Sequence, residues 1–94
     1  MLTAAVFAAA GAHADDREHD QDRARRAVER GEIKPLADIL STVRGKLPGE
    51  IVGVKIEQEK SRWRYELRVA DSKGRLFEVY VDAHSGEIEQ IKGK

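Results

Sequence analysis

Only a few residues of this chain have side chains suited to chemistry. The chain contains no cysteine and three histidines, which excludes thiol nucleophiles, cysteine-ligated zinc and disulfides. His19 lies in the acidic run 15–22 and is a weak candidate ligand for a divalent metal, although the spacing fits no defined calcium loop. A solvated segment that caps a helix explains the same residues more simply. We therefore predict no metal and no cofactor.

His84 and its neighbours Asp82 and Ser85 are the residue types of a hydrolytic triad. They fall within one predicted hairpin turn, where three side chains so close in sequence rarely reach the geometry of a proton relay. The sequence contains neither a nucleophile elbow nor a glycine-rich loop followed by Gly-Lys-Ser/Thr. The acidic residues of the predicted strands are explained as a solvated charged face rather than as paired catalytic carboxylates. We predict that the protein is not an enzyme.

Three arginines alternate with two aromatic residues, a pattern that superficially resembles a platform for single-stranded nucleic acid. The residues are Arg62, Arg64 and Arg68, with Trp63 and Tyr65 between them. Because a strand directs successive side chains to opposite faces, the aromatic residues are expected in the core and the arginines at the surface. The formal net charge of +0 also argues against attraction to nucleic acid or anionic lipid.

Two interpretations of this charged face stay open. The simpler is a mixed-charge sheet surface with cross-strand pairs, since the arginines are expected among Glu57, Glu59, Glu66 and Glu78. The other is a docking face for a protein partner. Its candidate residues are Arg62, Arg64, Arg68 and Glu78.

The first residues are typical of an export signal. Residues 1–14 contain an apolar run at 2–10 and end in Ala12-His13-Ala14, which fits the small-residue rule for signal peptidase cleavage after Ala14. The run is too short to cross a bilayer, which takes about 20 residues. Residues 1–6 lack the expected basic residue, so we expect the true start upstream; a frayed, alanine-rich cytosolic terminus is the alternative. We predict a periplasmic protein with an acidic flexible lead-in at 15–22.

Periodicity predicts two helices in the following segment. The first runs to about Arg30, after a cap at Asp20 or Asp22, and Gly31 ends it. The second has Pro35 in its first turn and ends at Pro48-Gly49. Its apolar face consists of Leu36, Ile39, Leu40, Val43 and Leu47.

The period then changes to two, which predicts strands. Three alternating apolar sets are Val52, Val54 and Ile56; Trp63, Tyr65, Leu67 and Val69; and Phe77, Val79 and Val81. A short last strand holds Ile88 and Ile91, whose spacing indicates a bend or an early end. Short connections predict an antiparallel meander of three to four strands, with both helices packed on one face. The expected fold class is α+β, in one domain over 23–94.

Several strings resemble the PepSY family over about residues 20–91. They are GEIKPLADIL at 31–40, PGEIVGV at 48–54, WRYE at 63–66, and EVYVDA at 78–83 followed by SGEI at 85–88. The closing hairpin is the most specific of them. Ser61-Arg62 stands where a glycine commonly precedes the tryptophan strand, and Ser85 replaces the usual threonine.

This resemblance implies a non-enzymatic domain of a kind that assists the folding of proteases and inhibits them, or accompanies sensor systems of the cell envelope. It gives Trp63, Tyr65, Asp82 and Gly86 structural roles in core filling, turn capping and a positive φ. The first hypothesis is therefore a periplasmic binding or regulatory module that contacts an envelope protease or a sensor-kinase ectodomain. The alternative is an envelope protein that binds a small ligand or a metal. The sequence leaves the oligomeric state open.

Overall fold

The computed structural model describes residues 21–94, and these form two helices followed by a four-stranded antiparallel sheet. The predicted signal peptide, His19 and most of the acidic lead-in lie outside the described residues. The elements are α1 (residues 21–29), α2 (Leu36–Val43), β1 (Glu50–Glu59), β2 (Arg62–Ala70), β3 (Leu76–Asp82) and β4 (Ile88–Gly93). The predicted α+β class is confirmed.

Helix α1 presents a narrow apolar stripe to the core, with Ala24 and Ala27 buried. Asp22 lies inside the helix rather than before it, and its Oδ1 accepts a hydrogen bond of 2.6 Å from Arg25. The helix ends before Gly31, as predicted.

Helix α2 is shorter than predicted, because it ends at Val43 and not beside Pro48. Gly45 adopts a φ of +82°, a left-handed conformation that glycine takes without strain and that cannot continue a right-handed helix. Pro35 precedes the helix as its N-cap residue. Leu47 therefore reaches the core from the loop after the helix, where it packs against the buried residues.

The strands follow one another in the order β1-β2-β3-β4, and each pairs antiparallel with its neighbour. One face of β2 is buried as predicted, with Leu67 and Val69 fully covered. Val79 and Val81 of β3 continue this face. Apolar residues of both helices belong to the same core, so the helices cover one face of the sheet.

Two irregularities in the outer strands explain apolar spacings of three. The pairing register shifts at Val52 in β1 and at Glu89 in β4, so each strand holds one extra residue there. The expectation that Val52, Val54 and Ile56 share a buried face is wrong for Val52, which is 62% exposed. Val54 pairs with Leu67 and therefore lies on the covered face, but it is 43% exposed. Ile51, which pairs with Val69, points to the covered face in place of Val52. The extra residue at Val52 lets Ile51 and Val54 point to the same face although they are three positions apart.

The turns differ in how they reach positive φ. Lys60 and Ser61, at φ 50° and 72°, form a two-residue turn between β1 and β2. In the turn after β3, Gly86 has a φ of +83° as predicted. A Cβ at Gly86 would also lie 3.4 Å from the Cγ2 atom of Thr42 in α2, so this turn packs closely against the helix.

Candidate functional site

The face of the sheet opposite the helices carries the predicted docking residues. Register pairs Arg64 with both Glu57 and Asp82, and Arg68 with Glu78. Since directly paired residues point to the same face, the structure places Arg62, Arg64, Arg68 and Glu78 together on this surface. We call the surface the open face, defined by the outward residues of the four strands: Lys55, Glu57, Glu59, Arg62, Arg64, Glu66, Arg68, Glu78, Tyr80, Asp82, Gln90 and Lys92.

Ion pairs occupy the end of the open face near the β1–β2 turn. Arg62 donates a hydrogen bond of 2.8 Å to Asp82 Oδ2 and a second one to Glu89. Arg64 Nε donates to Glu57 Oε1 at 3.1 Å, and its guanidinium lies 4.5 Å from the centre of the Tyr80 ring. These two arginines are thus held by the protein's own acidic and aromatic groups, as expected for a mixed-charge sheet surface.

Asp82 links the open face to the turn after β3. Its Oδ1 accepts hydrogen bonds from the backbone N–H groups of His84 (2.7 Å) and Ser85 (3.0 Å), while Oδ2 accepts from Arg62. Burial alone would raise the pKa of Asp82, but the bond from Arg62 and the two backbone bonds outweigh burial and hold the pKa below its usual range. Asp82 therefore remains a carboxylate that caps the turn.

Two carboxyl groups meet in the middle of the open face. Glu66 is 7% exposed and bonds through its side chain to Glu78. Burial raises the pKa of Glu66, and the bond to Glu78 adds to the effect. The same bond lowers the pKa of Glu78, with Lys94 at 3.3 Å acting in the same direction. As the pH falls, Glu66 is therefore the first carboxyl group of the pair to bind a proton.

Arg68 differs from the other two arginines of the face. It is exposed and forms no ion pair with another residue of the described part of the chain. Its aliphatic portion runs beside Gly53, where a Cβ would lie 3.5 Å from Arg68 Cδ. Its guanidinium is thus an exposed cation of the open face, as is the ammonium group of Lys55.

An open groove of about 490 Å³ borders the same end of the sheet. Its lining residues come from the α1–α2 loop, from the β1–β2 turn and the start of β2, and from the end of β3 and the turn after it: Glu32, Ile33, Ser61, Arg62, Trp63, Asp82 and His84. His84 Nδ1 lies 2.9 Å from the carbonyl oxygen of Glu32. A carbonyl only accepts, so Nδ1 is the donor of this hydrogen bond. Sequence reasoning missed this contact, since it joins residues 52 positions apart.

Comparison with known families decides the broader relationship. The model of the peptidase propeptide and YPEB domain, PepSY, matches residues 33–92. The chain belongs to the PepSY family. A search of curated proteins and a search of solved structures found no match. The match begins at Ile33, so it covers α2 and the whole sheet but not α1, which the resemblance over residues 20–91 had included.

The residues with predicted structural roles in the PepSY pattern all lie at the junction of sheet and loops. Trp63 and Tyr65 are buried, and the Tyr65 hydroxyl donates 2.9 Å to the carbonyl of Lys34. The backbone of Lys34 in turn donates 2.8 Å to the carbonyl of Ala83. Together with the capping by Asp82 and the positive φ of Gly86, these bonds fasten the α1–α2 loop to the β3–β4 turn.

The described residues were also compared with the requirements of a metal site and of a membrane span. Within 21–94 there is no group of three or more histidine or acidic side chains arranged to hold a metal ion. The candidate ligand His19 lies outside this range. None of the helices in the described part of the chain is long and apolar enough to cross a membrane. PepSY domains are generally non-catalytic propeptide or inhibitor-like modules.

Proposed function

We propose that this protein is a non-enzymatic regulatory module of the bacterial periplasm, which acts by direct contact with an envelope protease or a sensor-kinase ectodomain. The PepSY match over residues 33–92 carries this proposal, because the family suggests a regulatory or inhibitor-like module. The signal-like segment 1–14 supports the location.

The open face is the surface that the proposed contact uses. The helices cover one side of the sheet and leave the other side to charged groups in a fixed array. Arg62 and Arg64 contribute shape and orientation, since each is already paired. Arg68 contributes an available cation, beside the negative charge of Glu78. We expect the partner to present a carboxylate to Arg68 and a basic group to Glu78, which would give specificity more than affinity.

Capture from the native envelope tests this function. The full chain with a carboxyl-terminal tag is expressed in a bacterial host that carries the natural envelope proteins, then cross-linked and purified. We expect an identified protease or sensor ectodomain to be retained by the wild type and lost from the Arg64→Glu/Arg68→Glu variant. Lys73→Glu, in the turn after β2, is the matched control, because it reverses a charge away from the open face.

Two outcomes of this capture would contradict the proposal. One is the absence of any protease or sensor from the retained proteins. The other is equal retention by the open-face variant and the wild type, after thermal melting has shown both to be folded.

The location has a separate test. The protein is recovered from the periplasmic fraction of cells that express the full chain, and its amino terminus is sequenced. We expect Asp15 as the first residue, since cleavage is predicted after Ala14. Recovery from the cytosol with Met1 retained would contradict export.

A second function is favoured by one observation, the groove of about 490 Å³ beside Trp63 and His84. A small envelope ligand bound there would stack on the indole and accept or donate at the imidazole Nε2. Thermal melting against a panel of envelope metabolites and divalent metals tests this alternative, since a ligand of the folded state raises the melting temperature. A shift that Trp63→Phe and His84→Ala both abolish would support it, and an unchanged melting temperature across the panel would contradict it.

A further inference from the structure

The two edge strands of the sheet differ in what they expose. Strand β4 forms one edge of the sheet. It carries Lys92, is followed by Lys94, and is broken by the bulge at Glu89, and these features discourage pairing with another strand. Strand β1 ends the other side and, within residues 21–94, pairs only with β2. Beyond its bulge β1 is regular from Gly53 to Glu59 and exposes Val54 by 43%. A regular, partly apolar edge of this kind is a template for a further strand.

The hairpin geometry fixes which backbone groups of β1 reach the free edge. A two-residue turn joins Glu59 and Arg62 through a backbone hydrogen bond, and hydrogen-bonded pairs alternate along an antiparallel ladder. Lys55, Glu57 and Glu59 therefore direct their N–H and C=O groups toward β2. The residues between them, Val54, Ile56 and Gln58, direct theirs to the free edge.

The charges on either side of Ile56 would match those of a second, antiparallel copy of the same strand. Lys55 and Glu57 flank Ile56, and both lie on the open face, opposite Glu66 and Arg64 respectively. An antiparallel copy of β1 centred on Ile56 places Lys55 opposite Glu57 twice. It also places Ile56 opposite Ile56 on the helix-covered face.

We propose that a second copy of this chain adds to the sheet through β1, with Ile56 opposite Ile56 and each Lys55 opposite Glu57 of the second copy. The two four-stranded sheets join into one, with the helices of both copies on the same side. Backbone bonds at Ile56 and between Val54 and Gln58 give the attraction, and the two ion pairs select the register.

Neighbouring registers that keep the faces aligned fit less well. Pairing centred on Lys55 would place the two Lys55 side chains opposite each other. Pairing centred on Glu57 would place the two Glu57 side chains opposite each other. Like charges directly opposite each other are unfavourable. Centring on Val54 makes no ion pair and places the bulge at Val52 inside the ladder, opposite Ile56.

Charge exchange across the interface provides the test, with the full chain studied by sedimentation equilibrium. In a dimer of Lys55→Glu, a glutamate lies opposite a glutamate at both symmetric sites. In a dimer of Glu57→Lys, a lysine lies opposite a lysine at both sites. We expect each variant to dimerise at least about tenfold more weakly than the wild type, because each substitution acts twice. An equimolar mixture of the two variants restores both ion pairs, and we expect it to form a one-to-one heterodimer of wild-type affinity. Lys73→Glu is the charge control and dimerises like the wild type.

Each outcome bears on the proposal. Monomeric wild type throughout the concentration range overturns it, and so does a dimer that neither variant weakens. Because Glu57 also accepts from Arg64, thermal melting checks that Glu57→Lys is folded. Should that variant unfold, the proposal is tested by the dimer affinity of Lys55→Glu compared with that of the control Lys73→Glu. The dimer goes beyond the proposed regulatory function. Its test is separate from partner capture, since it substitutes Lys55 and Glu57 on the edge strand β1 rather than Arg64 and Arg68 of β2.

Discussion

The nine residues of β2 alternate between two faces of opposite chemistry. On the helix-covered face Leu67 and Val69 are fully buried and touch no solvent. On the open face Arg62 and Arg64 are held by ion pairs that remain in contact with water. Burial of a large apolar side chain contributes about 1.5–3 kcal/mol to folding, whereas an exposed ion pair contributes about 0–1 kcal/mol. The difference predicts that substitutions on the covered face lower the free energy of unfolding more than most substitutions on the open face.

The largest effect on stability is expected from Leu67→Ala on the covered face. Truncation leaves a cavity among β1, β2 and β3, and we expect the free energy of unfolding to fall by about 2–5 kcal/mol. A domain of this size starts near the low end of about 5–15 kcal/mol, so this variant should be largely unfolded well below the wild-type melting temperature. Urea denaturation followed by tryptophan fluorescence measures the change. Arg68→Ala, one position away on the open face, is the matched control, and an equal loss there would contradict the division between faces.

Asp82→Ala tests a polar residue of the open face that also holds a turn. It removes acceptors for two backbone N–H groups and for Arg62, and we expect a loss of about 1–3 kcal/mol at neutral pH. Because the folded pKa of Asp82 is lowered, its contribution is present above the unfolded value of about 3.9 and is lost as the pH falls through the folded value. Urea denaturation at a series of pH values should show the variant converging on the wild type in acid. A loss that is independent of pH would show that the charge has no role.

Glu66→Gln should have a smaller effect and the opposite sign. The folded pKa of Glu66 is raised, so ionisation costs folding free energy above that pKa and costs nothing below the unfolded value of about 4.3. Glutamine keeps a donor for Glu78 without the charge, and we expect a gain of roughly 0.5–1 kcal/mol at neutral pH that disappears in acid. The measurement is the pH dependence of the melting temperature of both proteins. A variant less stable than the wild type at neutral pH would contradict the assignment of the proton to Glu66.

The smallest expected effect is the coupling between Arg64 and Glu57. Their contact of 3.1 Å is partly exposed, so a double-mutant cycle of Arg64→Ala and Glu57→Ala should give an interaction of about 0.2–1 kcal/mol. Added salt should reduce it. A coupling above about 2 kcal/mol would mean that the open face stabilises the fold and is not available for change.

The sequence predicted the faces of β2 and β3 well, because strict alternation of apolar and polar residues leaves one solution. It misplaced the inward side of β1, since Ile51, Val52 and Val54 are all apolar and only the register shift at Val52 tells which of them turn inward. In β4 the spacing of Ile88 and Ile91 did indicate an irregularity, and the bulge at Glu89 is its cause. A spacing of three inside a strand is thus a usable signal for a bulge.

The candidate site was predictable only in part. Alternation placed Arg62, Arg64 and Arg68 on one face, but which arginine remains available to a partner depends on contacts across strands. Glu89, which holds Arg62, comes from β4 and carries no mark in the sequence. Likewise, the contact between His84 and the carbonyl of Glu32 arises only when the sheet closes against the helical segment.

The order of the strands also has a consequence for how fast the chain folds. Every strand pairs with the one that follows it in the chain, so each ladder closes across a short turn rather than a long loop. Contacts between residues near in sequence lower the entropic barrier, and domains of mixed class with such local pairing fold faster than sandwiches and barrels built on distant pairings. We therefore expect the sheet to grow outward from the β2–β3 hairpin one strand at a time, with α1 and α2 joining its apolar face late. Stopped-flow refolding should show a Leu67→Ala chain that folds more slowly and an Ile39→Val chain that mainly unfolds faster.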